Sequence, residues 1–172
     1  MIWNIPHPIQ PTRFAAVHIL VAGVFLCAAC SWWGDERHAI RARLDAFEER
    51  VNASAPEGIG SVTRTVEIGQ YFTEDVSVDL GDGTAPIAGR EMLMGIAARL
   101  QARTSEFRLD FADVNVQLAP GGESAEVDLT AQFIRRAAGS RQSMDAREFK
   151  LTMRREEGEW RIAQVVAVET LK

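Results

Sequence analysis

Four long runs of alternating apolar and polar residues occupy the C-terminal part of the chain and restrict its fold more than any other feature. They are residues 106–118, 125–135, 143–155 and 159–168, and turn-forming glycines separate them. Successive side chains of a β-strand point to opposite faces, so each run predicts a strand with one apolar face. The short connections between them favour antiparallel pairing. We therefore expect an antiparallel sheet whose apolar face is covered by another layer.

The residues before this sheet predict its cover. Apolar residues recur every three or four positions in residues 35–53 and again in residues 89–103, which predicts two amphipathic helices. Residues 61–72 fit a helix or a strand, because they contain a β-branched run. Residues 75–80 alternate and predict a further strand, and residues 85–88 predict a short extended link. The chain is thus expected to adopt a single-domain α+β fold.

An apolar stretch near the N-terminus predicts export. Residues 14–29 follow Arg13 and end in small residues before Cys30, an arrangement typical of a signal peptide. A transmembrane helix needs about 20 apolar residues, so this stretch is short for a membrane span. Ala28-Ala29-Cys30 resembles the lipobox of bacterial lipoproteins, in which the cysteine is acylated and everything before it is removed. A plain cleavable signal peptide and an uncleaved membrane anchor are the alternatives.

The leader defines the expected domain organisation. We predict a signal peptide at residues 1–29, a lipidated tether at residues 30–34 and one domain at residues 35–172. Lipid on Cys30 would make the membrane a partner of the domain. Serine after this cysteine, rather than aspartate, resembles the pattern of outer-membrane lipoproteins, so the expected location is the periplasmic face of that membrane. Two tryptophans follow, and they suit the lipid–water interface unless they pack on the domain.

Charge and cysteine content exclude several kinds of site. Removal of Arg13 with the leader would leave 18 Lys and Arg against 24 Asp and Glu, a net charge of −6. Such an acidic domain is not expected to bind nucleic acid. Cys27 would be removed with the leader and Cys30 would carry lipid, so no disulfide, cysteine nucleophile or zinc–cysteine site is expected. No metal and no cofactor are predicted.

Three short motifs connect these elements to a known superfamily. They are Phe72-Thr-Glu-Asp75-Val-Ser-Val, Pro86-Ile-Ala-Gly89-Arg90-Glu91 and Gly158-Glu-Trp160-Arg-Ile162. With the order of elements, they resemble the nuclear-transport-factor-2-like superfamily over about residues 35–170. The resemblance implies a curved, mostly antiparallel sheet wrapped on N-terminal helices to form a conical pocket. The superfamily includes SnoaL-type polyketide cyclases, ketosteroid isomerases and limonene epoxide hydrolases, so the resemblance implies a shape more than an activity.

The catalytic residues of these relatives have no clear counterparts. The position of the ketosteroid isomerase base falls on Leu80, and the one tyrosine, Tyr71, lies outside the first helix. The set Arg108, Asp110 and Asp128 superficially resembles that of the epoxide hydrolases. Alternation, however, places Arg108 and Asp110 on the face opposite the neighbouring phenylalanines, unless a bulge intervenes. No catalytic residue is therefore predicted.

The remaining hypothesis is a non-catalytic pocket for a small apolar ligand or a protein partner. Its candidate wall residues are apolar or aromatic, with one amide: Tyr71, Phe111, Phe149, Met153, Trp160 and Gln164. Packing in the core is the alternative for each apolar one. A SnoaL-like or ketosteroid-isomerase-like enzyme and a structural component of an envelope complex are the alternative functions. A homodimer through exposed sheet faces is a further expectation that this pattern leaves open.

Overall fold

The computed structural model describes most of the chain that follows the predicted tether, namely residues 35–53, 59–81, 83–101, 104–137 and 143–168. The predicted signal peptide, the tether and Cys30 lie outside these residues, and their assignments stay predictions. The chain divides into two units after Asp35, and the fold described below belongs to the unit that begins at Glu36. Among the described residues, none of the helices combines the length and the apolar content that a membrane span requires.

Within the described residues, three helices and two short strands precede four long strands. The helices are α1 (residues 35–52), α2 (Ile59–Gly69) and α3 (Arg90–Gln101). Strands β1 and β2 lie between α2 and α3, and strands β3 to β6 follow α3. The strand bounds are β1 Phe72–Asp79, β2 Ile87–Ala88, β3 Thr104–Leu118, β4 Ser124–Ala137, β5 Ser143–Glu156 and β6 Glu159–Ala167.

The predicted elements agree with this structure to within a few residues. The segment that fitted a helix or a strand forms helix α2, because its apolar Ile68 packs into the core while the β-branched Val66 faces solvent. The turn between β5 and β6 has Glu157 and Gly158 at positive φ, which suits the right-handed twist of a two-residue hairpin. The α+β prediction is confirmed.

The six strands form one open, mixed sheet in the order β2-β1-β6-β5-β4-β3. The pairs from β6 to β3 are antiparallel, as is β1 with β2, whereas β1 runs parallel to β6. The parallel pair arises because the chain passes through α3 and the three-strand meander before β6 returns beside β1. This arrangement matches the predicted conical fold, in which the helices lie against one face of the sheet.

Side chains that meet across neighbouring strands form rows on the helix-facing side of the sheet. The outermost row joins Phe107, Arg135 and Ser143, and the next joins Leu109, Phe133 and Asp145. The rows that follow inward are Phe111 with Ala131 and Arg147, Leu129 with Phe149 and Ala167, Val127 with Leu151 and Val165, and Ala125 with Met153 and Ile162. From the outer to the inner end of the sheet, the rows thus change from charged and aromatic residues to wholly apolar ones.

The inner rows and helix α1 form the packed core. Ile40 and Leu44 of α1 are fully buried, and so are Val76, Val127 and Met153 of the sheet. Burial of one large aliphatic side chain contributes about 1.5–3 kcal/mol, so this contact is a main source of stability. The core therefore lies at the inner end of the rows, and the outer end is open.

Helix α1 also covers part of the free edge of β3 with three polar side chains. We call Arg41, Glu48 and Asn52 the edge clamp. Asn52 Nδ2 donates to Leu109 O (2.6 Å) and its Oδ1 accepts from Leu109 N (2.8 Å). Glu48 Oε2 accepts from Phe111 N (2.7 Å), and Arg41 Nη2 donates to Val114 O (2.6 Å). The spacing of Arg41, Glu48 and Asn52 places them on one helix face. They occupy four of the backbone groups with which a further strand would otherwise pair.

The edge clamp predicts a specific loss of stability. Replacement of Asn52 by Ala removes both hydrogen bonds to Leu109 and leaves its N–H and C=O in a partly buried site without these partners. We expect the free energy of unfolding to fall by about 1–3 kcal/mol, the cost of an unsatisfied buried polar group. Urea denaturation would measure it. Asn115→Ala, at an exposed asparagine of the same strand, is the control and should change stability little; equal effects of the two substitutions would contradict the clamp.

Candidate ligand-binding cavity

A cavity of about 200 Å³ lies between the helix-facing side of the sheet and helices α1 and α3. Every described strand except the two-residue β2 contributes to its wall, together with one residue from each of the two helices. The lining residues are all apolar: Phe47, Phe72, Val78, Leu80, Leu93, Leu109, Phe111, Leu129, Ala131, Phe133, Phe149, Leu151, Ile162 and Val165. Leu80 is 40% exposed, so the lining reaches solvent at this residue.

Phe47 forms the helical side of the cavity and holds the aromatic wall together. Its ring lies edge-on to Phe72 at 5.5 Å between centroids and stacks with Phe111 at 6.1 Å. Aromatic pairs in such geometries contribute about 0.5–1.5 kcal/mol beyond the area that they bury. Leu93 of α3 adds the second helical contact. The cavity is thus built from the same side chains that fix α1 on the sheet.

No lining residue of this cavity in the described part of the chain can exchange a proton or hold a metal. The described residues also contain no group of three or more His, Cys, Asp or Glu side chains arranged to bind a metal ion. Ionisable groups are costly to bury without a partner, and this wall avoids the cost by excluding them. The arrangement can therefore enclose an apolar molecule, and it offers no placed acid or base.

Two of the six predicted wall residues line the cavity. Phe111 and Phe149 both contact it, from strands β3 and β5. Met153 shares the inward face of β5 but lies two rows deeper, where it is fully buried in the core. The structure thus brings together the two phenylalanines and separates the methionine from them.

Tyr71 and Trp160 lie outside the cavity, on the side where α1 meets the β5–β6 turn. The Trp160 Nε1 atom donates to Glu36 Oε2 at 2.9 Å. The guanidinium of Arg43 lies 4.3 Å from the centre of the Tyr71 ring and donates to Trp160 O at 3.2 Å. Arg155 donates to the other oxygen of Glu36 at 2.7 Å. These contacts give both aromatic residues a role in holding the N-terminal half of α1.

Gln164 lies on the outer face of the sheet, away from the cavity. Simple alternation along β6 would place it on the same face as Ile162. The pairing between β5 and β6 shifts between Thr152 and Met153, so that Thr152 pairs with Gln164 while Met153 pairs with Ile162. This extra residue on β6 turns Gln164 outward, where its side chain is exposed.

The charged residues that resemble catalytic sets also lie outside the cavity. Arg108 Nε forms a 3.0 Å ion pair with Asp110, and the pKa of Arg108 is raised by this hydrogen bond and charge. Asp75 is paired with Arg154 on the exposed side of the sheet. Hydrogen bonds from Thr73 and Arg154 lower its pKa, the opposite of what a carboxylic acid catalyst needs. Neither ion pair belongs to the described lining of the cavity.

Sequence reasoning missed most of the wall. Phe47, Leu93 and Phe133 come from three different elements, and Leu80 follows the end of β1. Their selection depends on how the rows align across the sheet. The sequence signal for this wall is the aromatic residues at inward positions of β3 and β4, Phe111 and Phe133, both of which line the cavity.

Sequence comparison identifies a family for this fold. A family described as a SnoaL-like domain matches residues 63–166, more than half of the chain. No curated protein sequence is similar enough to the chain to count as a match.

Comparison with solved structures gives the same fold. A provisionally assigned scytalone dehydratase from Novosphingobium aromaticivorans shares 14% identity, covers 79% of this chain and 85% of its own, and has a TM-score of 0.65. A second protein from that organism is described as nuclear-transport-factor-2-like with a cystatin-like fold. It shares 16% identity, covers 82% of this chain and 86% of its own, and has a TM-score of 0.62. A provisionally assigned dehydratase of the same superfamily, from Streptomyces avermitilis, shares 15% identity, covers 81% of this chain and 99% of its own, and has a TM-score of 0.64. At these identities the likeness shows the fold alone.

The pairing of Asp75 with Arg154 predicts a measurable pKa change. Replacement of Arg154 by Gln removes a hydrogen bond and a positive charge that hold the pKa of Asp75 down, so this pKa should rise towards the ordinary value of about 4. The stabilisation from this pair is present above that value and is lost as the pH falls through the lowered pKa of the folded state. Titration followed by NMR of the Asp75 carboxyl carbon would measure it.

Arg161 offers a matched control on the neighbouring strand. It pairs with Glu156 and Glu157, and Arg161→Gln should leave the pKa of Asp75 close to its native value. A rise of equal size in both variants would show that general charge, and not the Arg154 contact, sets this pKa.

Proposed function

Because the chain belongs to the SnoaL-like domain family, a fold that serves many unrelated activities, we propose that it is a non-catalytic binding protein for a small apolar ligand. The observation that carries the proposal is the cavity of about 200 Å³, whose lining in the described residues is entirely apolar. Transfer of apolar surface from water is favourable by about 25 cal/mol per Å². Such a wall favours an apolar molecule and gives a polar one no hydrogen-bonding partner.

The size of the cavity limits the ligand. Pockets for drug-sized molecules have volumes of about 300–1,000 Å³, so a cavity of about 200 Å³ suits a smaller molecule. A structural component of an envelope complex needs no internal space, and a filled cone would serve it better. The cavity therefore supports the binding of a ligand over a purely structural role.

An enzyme is the second candidate, favoured by the provisional dehydratase assignments of two similar structures. Elimination of water needs an acid or base within hydrogen-bonding reach of the reacting atoms. The described residues around the cavity supply no such group. Asp75, a residue of the motif shared with the superfamily, is exposed on the other side of the sheet and has a lowered pKa. These positions support binding without catalysis.

We further propose that the domain is held at a membrane by lipid on Cys30. Each buried methylene group of an acyl chain contributes about 0.8 kcal/mol, and stable anchoring needs more than one chain. A tether of residues 30–34 would keep the cavity close to the bilayer. Small apolar molecules concentrate there, because the bilayer interior is their preferred solvent. The proposed location would therefore place the cavity near a source of the proposed apolar ligand.

Filling the cavity tests the binding role. Ala131 lines the cavity and is 3% exposed, so Ala131→Met places a flexible side chain in the space that a ligand would take. We expect binding of the probe 1-octanol to the full chain in phospholipid nanodiscs to weaken at least tenfold, with an unchanged circular dichroism spectrum. Isothermal titration, with empty nanodiscs as the blank, would measure it.

Ala146→Met is the matched control, since Ala146 is exposed on the outer face of the adjacent strand β5. It adds the same side chain where no cavity exists and should leave the affinity for 1-octanol unchanged. If Ala131→Met binds 1-octanol as tightly as the native chain, the cavity is not the binding site and the proposal is wrong.

The anchor has an independent test. Mass spectrometry of the protein purified from a bacterial envelope should find a mature N-terminus at Cys30 with the added mass of acyl chains. Cys30→Ser should abolish this mass and release the protein from the membrane fraction. An unmodified N-terminus at Ala28 or Ser31 would contradict lipidation and indicate ordinary signal-peptide cleavage.

A further inference from the structure

The phenylalanines that line the cavity form two separate ring groups. In the first ring group, Phe47 contacts both Phe72 and Phe111. In the second ring group, the centres of Phe133 and Phe149 are 6.1 Å apart. Among the rings that the structure describes, no ring contact joins one group to the other. All five rings line the same cavity, so its space separates the two groups.

Ala131 of β4 lies between the two ring groups on the sheet. It pairs directly with Phe111 of β3, whereas Phe149 of β5 lies on its other side in the adjacent row. Directly opposite Cβ atoms are about 5 Å apart and diagonal ones about 7 Å apart. Ring centres in contact are about 4.5–7 Å apart. A ring above the small Ala131 side chain would therefore lie at contact distance from both groups.

Each ring group contains rings in two orientations. The planes of Phe47 and Phe72 make an angle of 89°, and those of Phe133 and Phe149 make an angle of 81°. A flat molecule that is parallel to one ring of a group is therefore nearly perpendicular to the other. Aromatic rings have a negative face and a positive edge, so they attract each other in offset-stacked and edge-to-face arrangements. A saturated ring lacks this charge distribution and would gain less from these contacts.

The volume of the cavity suits one aromatic ring with a short side chain. An apolar protein cavity of about 150 Å³ can hold benzene, and this cavity measures about 200 Å³. The described lining residues have no polar side chain, so a polar substituent inside the cavity would lose its hydrogen bonds to water. The lining reaches solvent at Leu80, which is 40% exposed, and a polar end of the molecule could stay hydrated there.

We propose that the ligand is a small neutral aromatic compound, with its ring above Ala131 and between the two ring groups. This inference rests on the proposed binding function and adds the chemical class of the ligand. It differs from the binding of any apolar molecule. Transfer from water is favoured in proportion to apolar area, and a saturated ring has more of this area than an aromatic ring with the same number of carbons. Burial alone would therefore favour the saturated compound.

Two alcohols of eight carbons, 2-phenylethanol and 2-cyclohexylethanol, test the inference because they differ only in the saturation of the ring. Isothermal titrations use the full chain in phospholipid nanodiscs, with empty nanodiscs as the blank. We expect the native chain to bind 2-phenylethanol about tenfold more tightly than 2-cyclohexylethanol, because only the aromatic ring gains from contacts with both ring groups. If burial alone determined the affinity, 2-cyclohexylethanol would bind more tightly.

One substitution in each ring group tests the walls separately. Phe111→Leu and Phe149→Leu each remove one ring and keep an apolar side chain, so each should lower the ratio of the two affinities several-fold. This ratio does not depend on the fraction of folded protein, because both probes bind the same folded molecules. Phe107→Leu is the matched control, since Phe107 is 42% exposed and is absent from the described lining. It should leave the ratio unchanged.

The outcomes distinguish this inference from the proposed function. If both probes bind the native chain and 2-cyclohexylethanol binds at least as tightly, the inference is wrong while the proposed function stands. The inference is also wrong if the ratio stays unchanged in both lining variants, or falls equally in the control. If the native chain binds neither of these probes nor 1-octanol, the proposed function fails and the inference fails with it.

Discussion

The contact between helix α1 and the free edge of β3 is the interaction on which the rest of the structure depends. β3 is a 15-residue edge strand, and an unpaired edge of that length exposes a series of backbone donors and acceptors. Asn52, Glu48 and Arg41 occupy four of these groups. The same docking brings Phe47 over the inner face of the sheet. Closure of the edge and formation of the cavity wall are therefore consequences of one helix position.

One fold can host enzymes and binding proteins. What distinguishes them is the content of the wall, since the cone itself is common to the similar structures. In this chain the inward positions near the centre of the sheet carry only apolar side chains among the described residues, and the first charged one towards the outer end is Arg147, in the row of Phe111 and Ala131. Carboxylates such as Asp75 and Asp110 lie outside, where arginines pair with them. These charged side chains are thereby kept out of the cavity.

The sequence predicted the strands well because alternation is a local property. Residues 106–118 were expected to form a strand, and Thr104–Leu118 does so. The assignment of side chains to the cavity depends on register, which alternation alone does not determine. Gln164 was placed among the wall residues, and one additional residue on β6 turned it to the opposite face. Met153 and Trp160 face inward as expected, but they lie at the closed end, where polar contacts of α1 and close packing leave no space.

The edge clamp has a further consequence for how the protein can fail. Its hydrogen bonds come from three side chains, so a single substitution in α1 could uncover part of β3 while the sheet stays folded. An uncovered edge strand is a template for pairing with another chain. Early damage would then appear as aggregation of nearly native molecules before any loss of secondary structure. We therefore expect Asn52 to protect the chain against aggregation as well as to stabilise the fold.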